Sequence, residues 1–311
     1  MNKNSKILVT GGSGMIGVAL QSVAPDAVFL SSKDCDLLDQ KQTEEIFDHY
    51  KPDSVIHLAA RVGGVKANYD NLGLFFADNM RININVLDAA RKSNVSKLVS
   101  LMSTCVYPDA AHYPLTEDQI NKGEPHYTNF AYAYAKRMLD VQSRAYRKQY
   151  GCNFITAIPN NLFGENDNFH LEDSHVLPAI IRKMYEAKIN NKDVVLWGDG
   201  SPLREFTYSI DLARILLFLL DNYSEPEPIN IGNTEECSVK EVAKMIAEII
   251  GFDGKIVWDS SKPSGQFKKP SDNTKLMNLG WKESDYTNLH DALAKTCLWF
   301  TENYPNVRGA N

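Results

Sequence analysis

The chain has no apolar run approaching the ~20 residues that a bilayer-spanning helix needs, and it carries no excess of positive charge. Its 33 lysines and arginines stand against 39 aspartates and glutamates, a net charge of −6, so no basic field is present to attract nucleic acid. Neither a membrane nor a nucleic acid is therefore expected as a partner. Cysteine is scarce: Cys35, Cys105, Cys152, Cys237 and Cys297 are odd in number and widely scattered. That argues against a disulfide framework or a zinc cluster, so no metal is expected, and it fits a reducing, cytoplasmic compartment. The N-terminal Met1-Asn2-Lys3-Asn4-Ser5-Lys6 has no apolar signal core. No repeat, low-complexity tract or linker breaks the 311 residues, a length that accommodates one large domain or two smaller ones.

What is present starts at Leu8-Val9-Thr10-Gly11-Gly12-Ser13-Gly14-Met15-Ile16-Gly17, an apolar strand, a Gly-rich turn and a helix start. Glycines at Gly11-x-x-Gly14-x-x-Gly17 (Gly12-x-Gly14-x-x-Gly17 also fits) let the backbone turn tightly and approach a pyrophosphate. The helix that follows points its first N–H groups at that anion. The first half then alternates strands, expected at 7–10, 27–30, 54–58, 97–102 and 154–158, with helices at 15–23, 40–50, 72–93 and 130–150. The strands are apolar throughout rather than alternating, as when helices cover both faces of a sheet. This order predicts an α/β fold with a doubly wound parallel sheet of Rossmann type, its ligand beyond the strand C-termini. After Pro159 the pattern loosens, with helices expected at 174–188, 210–222, 239–250 and 287–303 between loop-rich segments; Ser238-Val239-Lys240-Glu241 reads as a capping box. The division expected is a cofactor domain over 1–164, with a return near 205–233, and a smaller α/β substrate domain over 165–204 and 234–311.

Residues just after each strand carry the chemistry. The second strand ends Ser31-Ser32-Lys33, where an NAD-specific site usually places an acid on the ribose hydroxyls. Two hydroxyls and a lysine suit a 2′-phosphate, so NADP is favoured, while Asp34 keeps NAD open. Ala59 and Ala60, after the third strand, leave room for ribose and pyrophosphate. In Tyr132-Ala133-Tyr134-Ala135-Lys136, Tyr132 and Lys136 are at i and i+4 on one helix face. Lys136 can hold the cofactor ribose, and its charge is expected to lower the Tyr132 pKa and make the phenol a proton donor. Ser103, after the fourth strand, can offer a hydroxyl to the same substrate oxygen. Tyr134 is a competing phenol, but it does not share a face with Lys136.

These residues resemble the extended short-chain dehydrogenase/reductase family, which acts mainly on nucleotide sugars, over nearly the whole chain. The resemblance implies a Ser/Tyr/Lys catalytic set and a homodimer through helices 72–93 and 130–150. It implies cofactor contacts at Gly11, Gly14, Met15, Ile16 and Gly17, at Ser32 and Lys33, at Ala59 and Ala60, at Lys136, and at Pro159, Asn161, Leu162 and His175. Finer motifs are similar to the branch of that family that epimerises and then reduces a GDP-linked 4-keto-6-deoxy sugar with NADPH. They are Ser103-Thr104-Cys105-Val106-Tyr107-Pro108, Asn161-Leu162-Phe163-Gly164 with Asp167-Asn168-Phe169-His170, Ser174-His175-Val176-Leu177-Pro178, the run from Trp197 to Phe206, and the run from Lys262 to Lys269.

The branch implies Cys105 as base and His175 as acid. A C4 ketone acidifies the hydrogens at C3 and C5, and a thiol and an imidazole can exchange protons near neutrality. At the GDP-sugar end, Arg204 and Lys269 are expected at the diphosphate, with Lys183, Trp197 and Ser264 as further contacts. Members often carry Arg at the position of Lys183 and Asp-Gly where this chain has Ser264-Gly265. The rivals are a 4-epimerase or a 4,6-dehydratase of the same superfamily, and a cofactor-binding subunit without turnover. A dehydratase is disfavoured because Cys105 and Val106 stand where an acidic pair is expected. A 4-epimerase needs no Cys/His pair, and the intact Ser103, Tyr132 and Lys136 argue against loss of chemistry.

Overall fold

The computed structural model describes residues 5–261 and 267–310. Its centre is a six-stranded, all-parallel sheet in the order β2-β1-β3-β4-β5-β9. The strands and helices alternate in sequence: β1 (Ile7–Thr10), α1 (Met15–Val23), β2 (Val28–Leu30), α2 (Gln40–Tyr50), β3 (Ser54–His57), α3 (Val65–Asp70), α4 (Leu72–Lys92), β4 (Lys97–Leu101), α5 (Phe130–Tyr150) and β5 (Phe154–Pro159). This is the doubly wound α/β fold expected. The expected strands and long helices recur within a residue or so, and α3 is an addition.

Local chemistry explains the element ends. Asp39 caps α2, accepting from Gln42 N–H at 3.0 Å. The left-handed Gly151 closes α5. Leu8, Val55, Ile56, Leu98 and Val99 are fully buried, because helices lie on both sides of these strands. One side packs Ile16, Leu20, Leu212 and Leu216 under the sheet; the other packs Phe47, Val86, Leu87 and Leu139. Truncating a fully buried side chain such as Phe47 to Ala is expected to cost about 3–5 kcal/mol.

The second half contains more strand than its loop-rich sequence suggests. The elements are β6 (Asn161–Phe163), α6 (Val176–Ile189), β7 (Val194–Trp197), β8 (Leu203–Tyr208), α7 (Ser209–Asn222), β9 (Ile229–Ile231), β10 (Glu236–Ser238), α8 (Val239–Ile250), β11 (Ile256–Asp259), α9 (Thr274–Asn278) and α10 (Leu289–Asn303). β9 completes the main sheet beside β5, and α7 packs on α1. β10, β8 and β6 form a small mixed sheet, while β7 and β11 form a parallel pair. These strands have three to six residues, too short for periodicity to distinguish them from loops. The Ser238/Glu241 capping box is present at α8. A third core, with Phe169, Ile181, Met184, Val242, Ile246 and Phe300, holds α6, α8 and α10 together. Among the described residues, no helix is long and apolar enough to cross a membrane.

Candidate active site

The site is assembled at the C-terminal edge of the main sheet. Gly11 leaves β1 with φ +74°, and a Cβ there would lie 2.9 Å from the Ala59 backbone nitrogen. Gly17 is equally constrained, since its Cβ would meet the carbonyl oxygens of Gly11 and Gly12 at 2.5 Å. The turn thus lies against the third strand's end, where Ala59 N–H donates to Thr10 Oγ1 at 3.2 Å. Gly14 is the N-cap of α1, and among the described residues no side chain caps that end. Its Cβ position meets only the Gly11 carbonyl, at 3.3 Å. A backbone cradle with an uncapped helix N-terminus fits a dinucleotide pyrophosphate.

At the end of β2, Asp34 is already engaged. Its carboxylate accepts from Ser31 N–H at 2.8 Å and Ser31 Oγ–H at 2.6 Å, which holds its pKa below the ordinary carboxylate value. Ser32 and Lys33 are exposed. The charge and donors offered here fit a 2′-phosphate.

Ser103 follows β4 and caps the short turn Thr104–Val106, accepting weakly from Cys105 N–H at 3.5 Å. Tyr132 is 9% exposed and Lys136 is 3% exposed on α5. Lys136 Nζ donates to Leu101 O at 2.8 Å and lies 5.9 Å from the Tyr132 ring centroid. Burial pushes the Lys136 pKa down to about 8. Burial, with the Cys105 charge second, raises the Tyr132 phenol instead of lowering it, a correction to the expected effect of Lys136. The cation points at the strand carbonyl, and desolvation of the phenolate dominates. Arg137 ties the turn to α5 by donating to Val106 O at 2.7 Å and Gly123 O at 2.9 Å. Tyr134 is occupied elsewhere, donating to Glu124 at 2.6 Å.

Burial raises the Cys105 thiol, while the Ser103 hydrogen bond and then Lys269, Lys136 and Arg137 act to lower it. His175 is the exposed N-cap residue of α6. Its loop is fastened to the one after β3 by Gly64 N–H donating to Asp173 O at 3.1 Å. Beyond His175 on α6, Lys183 Nζ sits 5.0 Å from the centroid of the half-exposed Trp197 ring. Arg204, on β8, donates to Leu203 O and Phe267 O at 2.7 and 3.4 Å. Lys269 Nζ donates to Thr104 O at 2.8 Å. Pro159 ends β5, and Asn161 and Leu162 continue into β6. Ser264 lies outside the described residues.

Two groups were not assigned from sequence. Asp167 is 6% exposed, and among the described residues its Oδ2 has no hydrogen-bond partner. Burial pushes its pKa up to about 6, against the opposing charges of His175 and Arg308. His57 is 1% exposed and bridges Thr10 Oγ1 at 2.8 Å and Asn83 Oδ1 at 3.2 Å, and burial pushes its pKa down to about 3, so it stays neutral. Asn83 donates onward to Ala135 O at 3.0 Å, which fixes α5 beside Lys136. Asp167 is legible in the run Asp167-Asn168-Phe169-His170 as a residue, but its burial is not.

The family described as NAD dependent epimerase/dehydratase matches residues 7–232. The chain is 44% identical to the GDP-L-fucose synthase of Dictyostelium discoideum over 97% of both chains. It is 39% identical to the GDP-L-colitose synthase of Yersinia pseudotuberculosis over 97% of this chain and 99% of that one. It superposes with a TM-score of 0.94 on a GDP-L-fucose synthetase from Naegleria fowleri bound to NADP, at 42% identity, covering 99% of this chain and 96% of that one. A match over most of the chain, continued into relatives along nearly their full length, establishes that the chain belongs to the NAD dependent epimerase/dehydratase family.

Proposed function

We propose that this chain converts GDP-4-keto-6-deoxymannose to GDP-L-fucose, by epimerisation at C3 and C5 followed by reduction at C4. The observation that carries the reading is a thiol, Cys105, on the same short turn as Ser103 and electrostatically close to Tyr132 and Lys136. A ketoreductase alone needs the hydroxyl, the phenol and the ammonium; a thiol beside them adds a base. The relatives named GDP-L-fucose synthase support the same substrate.

NADPH, when bound, supplies the hydride for C4. The Gly11–Gly17 turn, with Met15 and Ile16, would receive the pyrophosphate, and Ser32 and Lys33 the 2′-phosphate. Ala59, Ala60, Pro159, Asn161 and Leu162 would line the rest of the cofactor, with Lys136 on the ribose. Cys105, as thiolate, takes the proton next to the C4 ketone, and His175 returns one from the opposite ring face. Once the Cys105 proton has passed to water and His175 has been reprotonated by water, repetition at the second carbon inverts both centres. Tyr132 stays a neutral phenol because burial disfavours its anion, so its O–H protonates the C4 oxygen while Ser103 orients it. Arg204, Lys183 and Trp197 are assigned to the diphosphate and nucleoside end, Ser264 beside them.

The cofactor unit is assigned to 1–164 with the return at 205–233, and the nucleotide-sugar unit to 165–204 and 234–311. An unpartnered apolar groove between α4 and α5, with Leu72, Phe76, Met80, Phe130 and Met138, supports a homodimer through these helices. Ile84 on α4 and Val141 on α5 are further apolar side chains on these helices, exposed by 46% and 42%. The five free cysteines support a reducing, cytoplasmic compartment.

The test is to give the protein GDP-4-keto-6-deoxymannose and NADPH in deuterated water. The expected result is loss of NADPH absorbance and GDP-L-fucose carrying deuterium at C3 and C5. Reduction without deuterium there would leave a simple ketoreductase, and no NADPH oxidation would overturn the reading.

A further inference from the structure

Glu205 lies inside β8 and is 2% exposed, yet both of its carboxylate oxygens are engaged. Ser271 N–H donates to one oxygen at 2.9 Å, and Ser271 Oγ–H and the Asn160 side-chain N–H donate to the other at 2.6 and 3.1 Å. The orientation of the Asn160 amide is fixed elsewhere. Its nitrogen also donates to Asn233 O at 2.6 Å, and its oxygen accepts from Thr207 Oγ–H at 2.6 Å. Each carboxylate oxygen therefore faces an N–H that can only donate, an arrangement that an anion satisfies and an amide does not.

The carboxylate joins two segments that carry cations. Arg204 is the neighbour of Glu205 on β8, and Lys269 lies two residues before Ser271 on the strap 267–271. Leu203 N–H donates to Phe267 O at 2.7 Å, so the strap is fastened to β8 on both sides of Lys269. Further backbone bonds run to Leu115, which donates to Pro270 O at 2.8 Å and accepts from Asp272 N–H at 3.0 Å. Those bonds keep the strap folded if its hold on β8 is loosened. Arg204 and Lys269 are the two cations expected at the substrate diphosphate, and they act on each other as like charges in a poorly solvated place.

We propose that Glu205 is a positioning residue for the substrate diphosphate: its buried carboxylate clamps the strap 267–271 to β8 and so holds Lys269 and Arg204 together against their mutual repulsion. Two cations held in place before the ligand arrives need less ordering when it binds. The inference rests on the proposed function for what lies between the cations, while the clamp itself rests on the bonds of Glu205.

The test measures GDP affinity by calorimetry and NADPH affinity by fluorescence titration in wild type, Glu205→Gln, Ser271→Ala and the double variant. Gln keeps the size but sets an N–H against one of the two donors. Glu205→Gln is expected to weaken GDP about tenfold and Ser271→Ala about threefold, as hydrogen bonds to a charged group are lost. The double variant is expected to be no weaker than Glu205→Gln alone, because the clamp is already open. NADPH affinity is expected to stay within about twofold, since Asn160 keeps Thr207 and Asn233 as partners. KM for the keto-sugar is expected to follow GDP affinity with kcat within about threefold, as for contacts made equally in ground and transition states. GDP and NADPH affinities falling together, GDP affinity unchanged in both single variants, or losses that multiply in the double variant would each overturn the proposal. Should Glu205→Gln fail to fold, Ser271→Ala carries the test, and unchanged GDP affinity there overturns it. A wild type that binds NADPH but no GDP would overturn the proposed function itself, whereas wild-type GDP binding that the variants leave unchanged overturns only the clamp.

Discussion

Lys136 Nζ donates to the carbonyl oxygen of Leu101 at 2.8 Å, so the cation on α5 is anchored to the last residue of β4. One bond thereby sets the distance between the helix that carries Tyr132 and the strand that delivers Ser103. It also buries the ammonium, whose pKa falls from 10.5 to about 8.

The buried charge makes stability depend on pH. Between about 8 and 10.5 the unfolded chain binds the Lys136 proton and the folded chain does not, so stability rises with pH through this window. Below about 8 the folded state carries the full penalty, on the order of 3 kcal/mol. The wild-type advantage over Lys136→Met in urea melts is therefore expected to grow by that amount between pH 7.5 and 10.5 (about two to three pH units). A difference that stays flat would mean the ammonium is solvated. The comparison with the variant is needed because burial also lowers Lys97 to about 8.

Tyr132→Phe is expected to reduce turnover by at least about a hundredfold while NADPH binding and C3/C5 exchange persist, because only the final protonation is lost. Cys105→Ser is expected to lose most of the exchange, since a hydroxyl is a far weaker base than a thiolate. Proton NMR in deuterated water separates the two variants. Normal reduction by Tyr132→Phe would move the donor elsewhere, although Tyr134 is already bound to Glu124.

Asp167 titrates in the opposite sense to Lys136. Its folded pKa, about 6, lies above the ordinary 3.8, so its contribution is present below pH 3.8 and lost as pH rises through about 6. The cost of ionising it in place is on the order of 3 kcal/mol. Asp167→Asn is expected to hold its stability better than wild type from pH 4 to 7, about three pH units, in parallel denaturant melts. Parallel curves would show that the buried Oδ2 finds a partner in solution.

At the cofactor end, Lys33→Glu is expected to erase most of a preference for NADPH over NADH, by roughly 1–3 kcal/mol for a charge-assisted contact. Titration of both cofactors into both proteins measures it. A wild type that favours NADH would reverse the reading of Ser32 and Lys33.

The apolar groove between α4 and α5 predicts that Ile84→Glu or Val141→Glu converts a dimer to a monomer in sedimentation experiments. Each places a charge on a surface that the homodimer would bury. A monomeric wild type would remove the homodimer.

The first half of the fold was legible because βα repetition writes itself into sequence: each parallel strand is apolar on both faces and each helix keeps its period. The Gly11–Gly17 turn and the Tyr132/Lys136 pair were legible for the same reason, as spacing within one element determines which residues share a turn or a face. β6, β7, β8, β10 and β11 were not, because strands of three to six residues carry no clear period and pair across long sequence distances.

By itself the amino-acid order determined the Rossmann-type sheet, the phosphate-binding turn and the identities of the reactive side chains, all of which depend on local geometry. Tertiary structure decided what those side chains are. It turned Lys136 toward Leu101, raised rather than lowered Tyr132, left Asp167 Oδ2 without a hydrogen-bond partner among the described residues and brought Lys269 from 165 residues away onto Thr104. The physical reason is that desolvation and long-range contacts set the protonation and aim of a buried group, and neither is encoded in the residues next to it.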